Sequence, residues 1–221
     1  MSAVDRQAER RELLMGAAFD LLGNNGWSAT TVRAVVERAA LNPRYFYESF
    51  GDLDELIVAV YDRVVADLGE VVLGALERAG RDPAAQAKAV VQATVDFVDD
   101  DRRRGRVLYV EGLGNERLNL RRVEAGRAVV AFIEQYAAEQ APAAGSDEAI
   151  GRVGAAILVG GFSQLLIDWL AGRVAVTKEV LVDDATELFL ALGDAAGRIA
   201  SRRRVTGAGS PRLARRRRTE G

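Results

Sequence analysis

The sequence predicts an all-α fold of about nine helices, and three observations carry that prediction. Apolar residues recur at i, i+3, i+4 and i+7 along most of the 221 residues. No segment alternates with the period of two that a half-buried strand requires. Pro43 and Pro83 each follow a short polar residue, Asn42 and Asp82, the order expected of a helix cap and a first helical residue. The pattern divides into a small three-helix unit over residues 1–51, a larger helical unit over 52–201, and an arginine-rich tail over 202–221.

The first helix is expected from about Asp5 to Leu22, with Leu14, Ala17, Ala18, Leu21 and Leu22 on one face, stopped by Gly23-Asn24-Asn25-Gly26. Thr30 and Thr31 can cap a second, whose Val32, Val35, Val36 and Ala39 keep the helical period. Ala40-Leu41 is a corner, and Asn42 caps a third helix that starts at Pro43. A fourth runs from Asp52 to Gly80 and is about 40 Å long at 1.5 Å per residue. Asp82-Pro83 opens a fifth, to about Asp99. Asp99 to Arg104 reverses charge within six residues and reads as a helix end and a helix start on the solvated surface. Helices six (about 102–111) and seven (about 115–140) flank a Gly112-Leu113-Gly114 break. After the linker Ala141 to Gly145, Ser146 is expected to cap helix eight, which runs to Ala171; Thr177 opens helix nine, which fades near Ser201. Residues 202–221 lack apolar periodicity and are expected to be disordered.

Two short helices with a tight corner form a helix-turn-helix, whose second helix has the size of a DNA major groove. Arg44 and Tyr45, early in helix three, are the candidates for base edges, since arginine can donate two parallel hydrogen bonds to guanine. Pro43 can pack on a thymine methyl, Asn42 caps the helix, and Thr30, Thr31, Arg33 and Tyr47 are candidates for the same interface, the last three through phosphate. Val32, Val35, Val36, Phe46 and Phe50 read as core. One such motif buries too little surface for high affinity, so a homodimer reading a palindromic operator is expected. Helix eight carries Gly151, Gly154, Gly160 and Gly161, small residues that let another helix approach, and the dimer surface is expected on helices eight and nine.

The segment from Gly26 to Leu56 resembles the DNA-binding region of the tetracycline-repressor (TetR) family of bacterial transcription regulators. The resemblance lies in the long amphipathic first helix, the Gly26-Trp27-x-x-Thr30-Thr31-Val32 run, Arg33, Tyr47-x-x-Phe50 and the acidic, leucine-containing start of helix four. It covers roughly residues 5–65. Two positions depart from the family pattern: Leu53 stands where a phosphate-binding lysine is frequent, and the turn holds Ala40 rather than glycine. These predict weaker backbone anchoring and a slightly altered turn. The resemblance implies a repressor released from its operator by a small-molecule inducer bound among the C-terminal helices. It also implies a four-helix dimer bundle. The aromatics that could wall an inducer pocket for a lipophilic molecule are Phe97, Tyr109, Phe132, Phe162 and Trp169, with Tyr136 beside them.

Composition narrows the remaining classes. There is no cysteine and no histidine, which removes disulfides, thiol and histidine catalysis and Cys/His zinc sites. No cofactor or metal is expected, and no nucleotide-binding or hydrolase motif occurs, so an enzyme is the weaker reading. The N-terminus is charged where a signal peptide needs an apolar core, and the longest apolar run, Val153 to Ile167, falls short of a membrane span. A soluble cytoplasmic protein without membrane contact is expected. The net charge of −2 hides a tail (198–221) of nine arginines and one acid. Residues 1–50 hold six basic and six acidic residues, so basicity of the whole domain does not mark the DNA-binding unit. The arginine tail could add sequence-independent affinity for phosphates; a helical interaction module working through that tail is the alternative function.

Overall fold

The computed structural model describes residues 3–111, 115–140 and 147–205, and among them it is built of helices with no strand. The elements are α1 (Ala3–Asn25), a 3-10 turn (Trp27–Ala29), α2 (Val32–Arg38), α3 (Pro43–Ser49), α4 (Leu53–Ala79), α5 (Pro83–Asp100), α6 (Arg102–Tyr109), α7 (Glu116–Gln140), α8 (Glu148–Leu170) and α9 (Lys178–Val205). Side-chain caps set most starts. Thr31 accepts from Ala34 N, Asn42 from Arg44 N, Asp52 from Glu55 N and Asp82 from Ala85 N, each filling a donor that the first turn leaves unpaired.

Several boundaries differ from the sequence reading. α1 continues through Gly23 to Asn25 and stops at Gly26, whose φ of 83° ends the helical path. Gly23 survives inside the helix because a Cβ there would collide with the side chain of Arg103 on α6. α8 is capped by Asp147, which accepts from Ala149 N and Ile150 N; Ser146 lies outside the described residues, as do the Gly112–Gly114 break and the 141–145 linker. α9 passes the expected stop at Ser201 and carries Arg202, Arg203 and Arg204 in its last turn, where cations face the negative end of the helix dipole. Residues 202–205 are therefore helical rather than part of a tail, Arg203 pairing with Asp147 at 3.1 Å, while 206–221 lie outside the described residues.

The turn between α2 and α3 keeps a tight geometry without glycine. Leu41 N donates to Val36 O and Ala40 N to Glu37 O, the paired bonds of a Schellman motif, and Ala40 takes the left-handed conformation that the motif demands, with φ 53°. Alanine in that region is strained by about 1–2 kcal/mol, partly offset by its smaller loss of backbone entropy. The Ala40→Gly variant is accordingly expected to gain about 0.5–1 kcal/mol and a melting temperature roughly 1–3 °C higher by circular dichroism. No gain would mean that the turn is relaxed.

One buried cluster runs through both expected domains. Leu14, Ala18 and Leu22 of α1 meet Val35, Phe46 and Phe50 of the helix-turn-helix and Leu56, Ile57 and Val60 of α4. The same cluster continues through Val91, Val95 and Val98 of α5 to Leu118, Leu166 and Leu181. α4 is the element common to both halves: it packs on α1, α5, α6 and α7. Leu53 joins this packing, so the position vacated by a phosphate-binding cation serves the core.

α8 is more apolar than the sequence reading allowed. The helix of 23 residues, with a mean hydropathy of 1.6 in its most apolar window, is long and apolar enough to cross a membrane by length and composition. Only 17% of that window is buried, chiefly Gly154, Ala155 and Leu166. Val153, Ile157 and, on α9, Leu188 stand exposed.

Candidate nucleic-acid interface

α1 braces α3 from behind and leaves its outer face open. Phe46 is fully buried and Phe50 nearly so, with ring centroids 6.1 Å apart, which pins the short helix by two aromatic anchors one turn apart. Arg11 of α1 sits 4.1 Å over the Phe50 ring and donates to Ser49 O at 2.8 Å; Gln7 Nε2 donates to Glu48 O at 3.2 Å. A helix of seven residues is marginal alone, so its orientation is set by these tertiary contacts.

Of the residues expected at the interface, Asn42, Pro43, Arg44 and Tyr47 are exposed together on α3 and its cap. Thr31 and Arg33 are exposed at the start of α2. Arg33 is paired with Glu37 at 2.7 Å, and that bond raises its pKa above the ordinary arginine value. Tyr45 is half-buried, its ring covered by the Arg10 guanidinium at 3.7 Å. Thr30 does not belong to this surface: it is only 2% exposed, and its hydroxyl donates to Gly26 O at 2.9 Å. Thr30 therefore holds the approach to α2, and Thr31 alone does the capping.

Glu48 is a residue of this surface that escaped the sequence reading, and so did the place of Arg10 beside it. Arg44 Nε donates to Glu48 Oε1 at 2.7 Å, and Arg10 Nη1 lies 3.6 Å from Glu48 Oε2. The Arg44–Glu48 spacing of four was legible as a helical pair. Arg10 is 35 positions from Tyr45, and no local signal announced that contact.

The motif is tied to the helical body by polar contacts. Glu111 is buried and accepts from Trp27 N at 2.7 Å and from Arg106 Nε at 2.5 Å. Arg103 of α6 reaches Asp20 of α1 at 2.5 Å and holds Asp101, whose carboxyl the Arg103 side chain keeps below its usual range. A depressed carboxylate pKa adds stability above the unfolded value, lost as pH falls through the folded one. The charge reversal at 99–104 is thus a joint between α6 and α1, and more than a solvated surface. From α7, Asn115 Nδ2 donates to Asp54 Oδ1 at 2.7 Å, and Arg117 reaches Asp52, the cap of α4, at 3.2 Å.

Of the five aromatics expected to wall a ligand pocket, Phe97 lies in the buried cluster and Tyr109, Phe162 and Trp169 pack against it. Phe97 is core, covered by Arg104 at 4.4 Å. Tyr109 is largely enclosed, and burial pushes its phenol pKa well up; burial likewise lifts Tyr61 to about 12. Phe132 stacks on Tyr136, whose hydroxyl accepts from Gln86 Nε2 at 2.7 Å. Phe162 meets Phe189 edge-on across α8 and α9, and Trp169 Nε1 donates to Val176 O at the far end of α8. Apolar side chains at helical spacing report core and cavity alike. A cleft of about 210 Å³ between α1, α4 and α6 is lined instead by Met15, Gly16, Phe19, Val60, Arg63 and Asp67 among others.

Fold and surface together define an all-helical protein with an N-terminal helix-turn-helix whose second helix is presented to solvent. Residues 14–60 match the family model for bacterial regulatory proteins of the tetR family. The chain is 32% identical over 87 residues to the HTH-type transcriptional regulator BetI of Stenotrophomonas maltophilia, a match that covers 39% of this chain and 44% of the relative. Similarity to the HTH-type transcriptional activator FasR of Mycolicibacterium smegmatis is 31% over 101 residues, 46% of each chain. The chain thus spans about half the length of the curated relatives it matches. Among solved structures, the fatty acid degradation regulator FadR from Bacillus halodurans superposes with a TM-score of 0.70 at 14% identity, over 82% of this chain and 94% of that one. A transcriptional regulator from Rhodococcus sp. Rha1 gives a TM-score of 0.66 at 20% identity, over 81% and 95%. The relatives carry the names of transcriptional regulators, and the two solved structures share the fold of this chain.

Proposed function

We propose that this chain is a sequence-specific DNA-binding transcription regulator, acting as a homodimer on a palindromic operator and, as a repressor, released from it by a small lipophilic ligand. The observation that carries the reading is the exposed row Asn42, Pro43, Arg44 and Tyr47 on a helix whose opposite side is anchored by Phe46 and Phe50. Short helices that bury their aromatics and display arginine outward are built for a groove.

Dimerisation accounts for α8. Its exposed apolar face, with Val153 and Ile157, and the neighbouring α9 form a patch of the kind that marks an interface. Gly160 and Gly161 on α8, and Gly193 and Gly197 on α9, have open space where a Cβ would stand, room for a second pair of helices. Ligand control fits the contacts of α7 with the first turn of α4, which follows α3 directly. A ligand acts through its differential affinity for the arrangements in which those contacts are made or broken.

The test is selection of duplexes from a random-sequence library by the purified protein, followed by gel shifts with Arg44→Ala. The variant is expected to lose about 1–3 kcal/mol of base discrimination per half-site while keeping weak, salt-sensitive binding to any duplex. Unchanged base preference would remove Arg44 from the reading, and a library without any enriched sequence would remove the function.

A further inference from the structure

We infer that Glu48 is a positioning residue that restrains Arg44 and Arg10 from the phosphate backbone and so favours base-specific over non-specific binding. The inference rests on the proposed DNA-reading role of α3.

Glu48 lies one turn after Arg44 on the displayed side of α3, and its carboxylate takes two cations. Oε1 accepts from Arg44 Nε at 2.7 Å, and Oε2 lies 3.6 Å from Arg10 Nη1. Arg10 is held a second time by its stacking over Tyr45 at 3.7 Å. Glu48 is in turn fixed through its own carbonyl, which accepts from Gln7 Nε2.

Two consequences follow from this geometry. With Nε engaged, the outer Nη pair of Arg44 remains available as a planar fork, the form that matches guanine O6 and N7. A base can therefore be read without breaking the Arg44–Glu48 bond. Phosphate binding in arbitrary register differs: it rewards arginines that swing freely toward the nearest anion, and Glu48 holds two of them while adding a negative charge at the surface. The carboxylate thus penalises non-specific complexes more than the specific one, a repulsive element that raises selectivity. Glu48 is one of the six acidic residues that balance the six basic ones in residues 1–50.

The experiment compares Glu48→Gln, which keeps an acceptor for Arg44 Nε but removes the charge, with Glu48→Ala, which removes both. The probes are a duplex enriched by the wild-type protein from a random library and a shuffled duplex of equal length and composition, each titrated across a salt series. Glu48→Gln is expected to bind the shuffled duplex roughly 5- to 10-fold more tightly near 0.1 M salt, with a log–log salt slope steeper by about 0.9 for each arginine freed per engaged subunit. Its affinity for the enriched duplex should change less, so the selectivity ratio falls. Glu48→Ala should show the same rise and, in addition, relaxed preference at the base pair that Arg44→Ala affects. Glu48→Asp tests whether charge alone suffices: its carboxylate restores the wild-type salt slope even if its shorter reach leaves the base preference relaxed. Unfolding midpoints of all three variants should match the wild type, since an exposed helical pair is worth only a few tenths of a kcal/mol. Wild-type slopes and selectivity in Glu48→Gln would overturn the inference while leaving the DNA-binding function standing. Failure to enrich any sequence would overturn both.

Discussion

Replacing Phe46 by alanine is expected to remove about 3–5 kcal/mol of stability and, with it, all measurable sequence-specific DNA binding. Phe46 is 0% exposed and sits between Tyr47, at 5.2 Å edge-on, and Phe50. The cavity left behind cannot be filled by the seven-residue α3, which has few other buried groups. A loss of that size is a large share of the 5–15 kcal/mol typical of a folded domain. Thermal and denaturant melts should show a much lower midpoint, and gel shifts with the enriched duplex should show no specific complex. A variant that melts with the wild type would mean that α3 is held chiefly by Arg11 and Gln7 rather than by its aromatic anchor.

Ile157→Arg on α8 and Leu188→Arg on α9 are each expected to dissociate the proposed dimer, with at least a 100-fold loss in self-association. In the isolated chain these positions are 55% and 67% exposed, so a charge there is hydrated and harmless to the fold. Inside a helix-to-helix interface the same charge would be buried without a partner, a penalty of about 3–5 kcal/mol. Sedimentation should therefore report monomers whose helical content is unchanged, and binding to a palindromic duplex should fall with the dimer. If both variants sediment as the wild type does, the apolar face of α8 belongs to some other contact.

The all-helical class, the order of the elements and the helix-turn-helix were legible in the chain itself. Caps and periodicity are local: Asn42 before Pro43, Asp82 before Pro83, and valines three and four apart act through neighbours within one turn. The tight corner was legible too, although Ala40 bends into the left-handed region to make it, because the bonds of the turn hold it there. Thr30 and Thr31 looked equivalent in sequence. Only the packing of the Gly26–Thr30 segment under Glu111 and against α1 turned one inward and left the other as the cap.

What tertiary structure alone decided is the company each charged or aromatic side chain keeps. Arg10 lies over Tyr45, Arg103 binds Asp20, and Glu111 takes the Trp27 amide, pairs separated by 35 to 84 positions with no periodic signal to announce them. The neighbours of each aromatic were open for the same reason, since the sequence shows that a ring will be buried but leaves its surroundings undetermined. Short-range hydrogen bonding and the 3.6-residue repeat suffice to specify helices and their ends. Which faces meet is settled by the burial of one apolar cluster common to all of them, a property of the whole chain rather than of any segment.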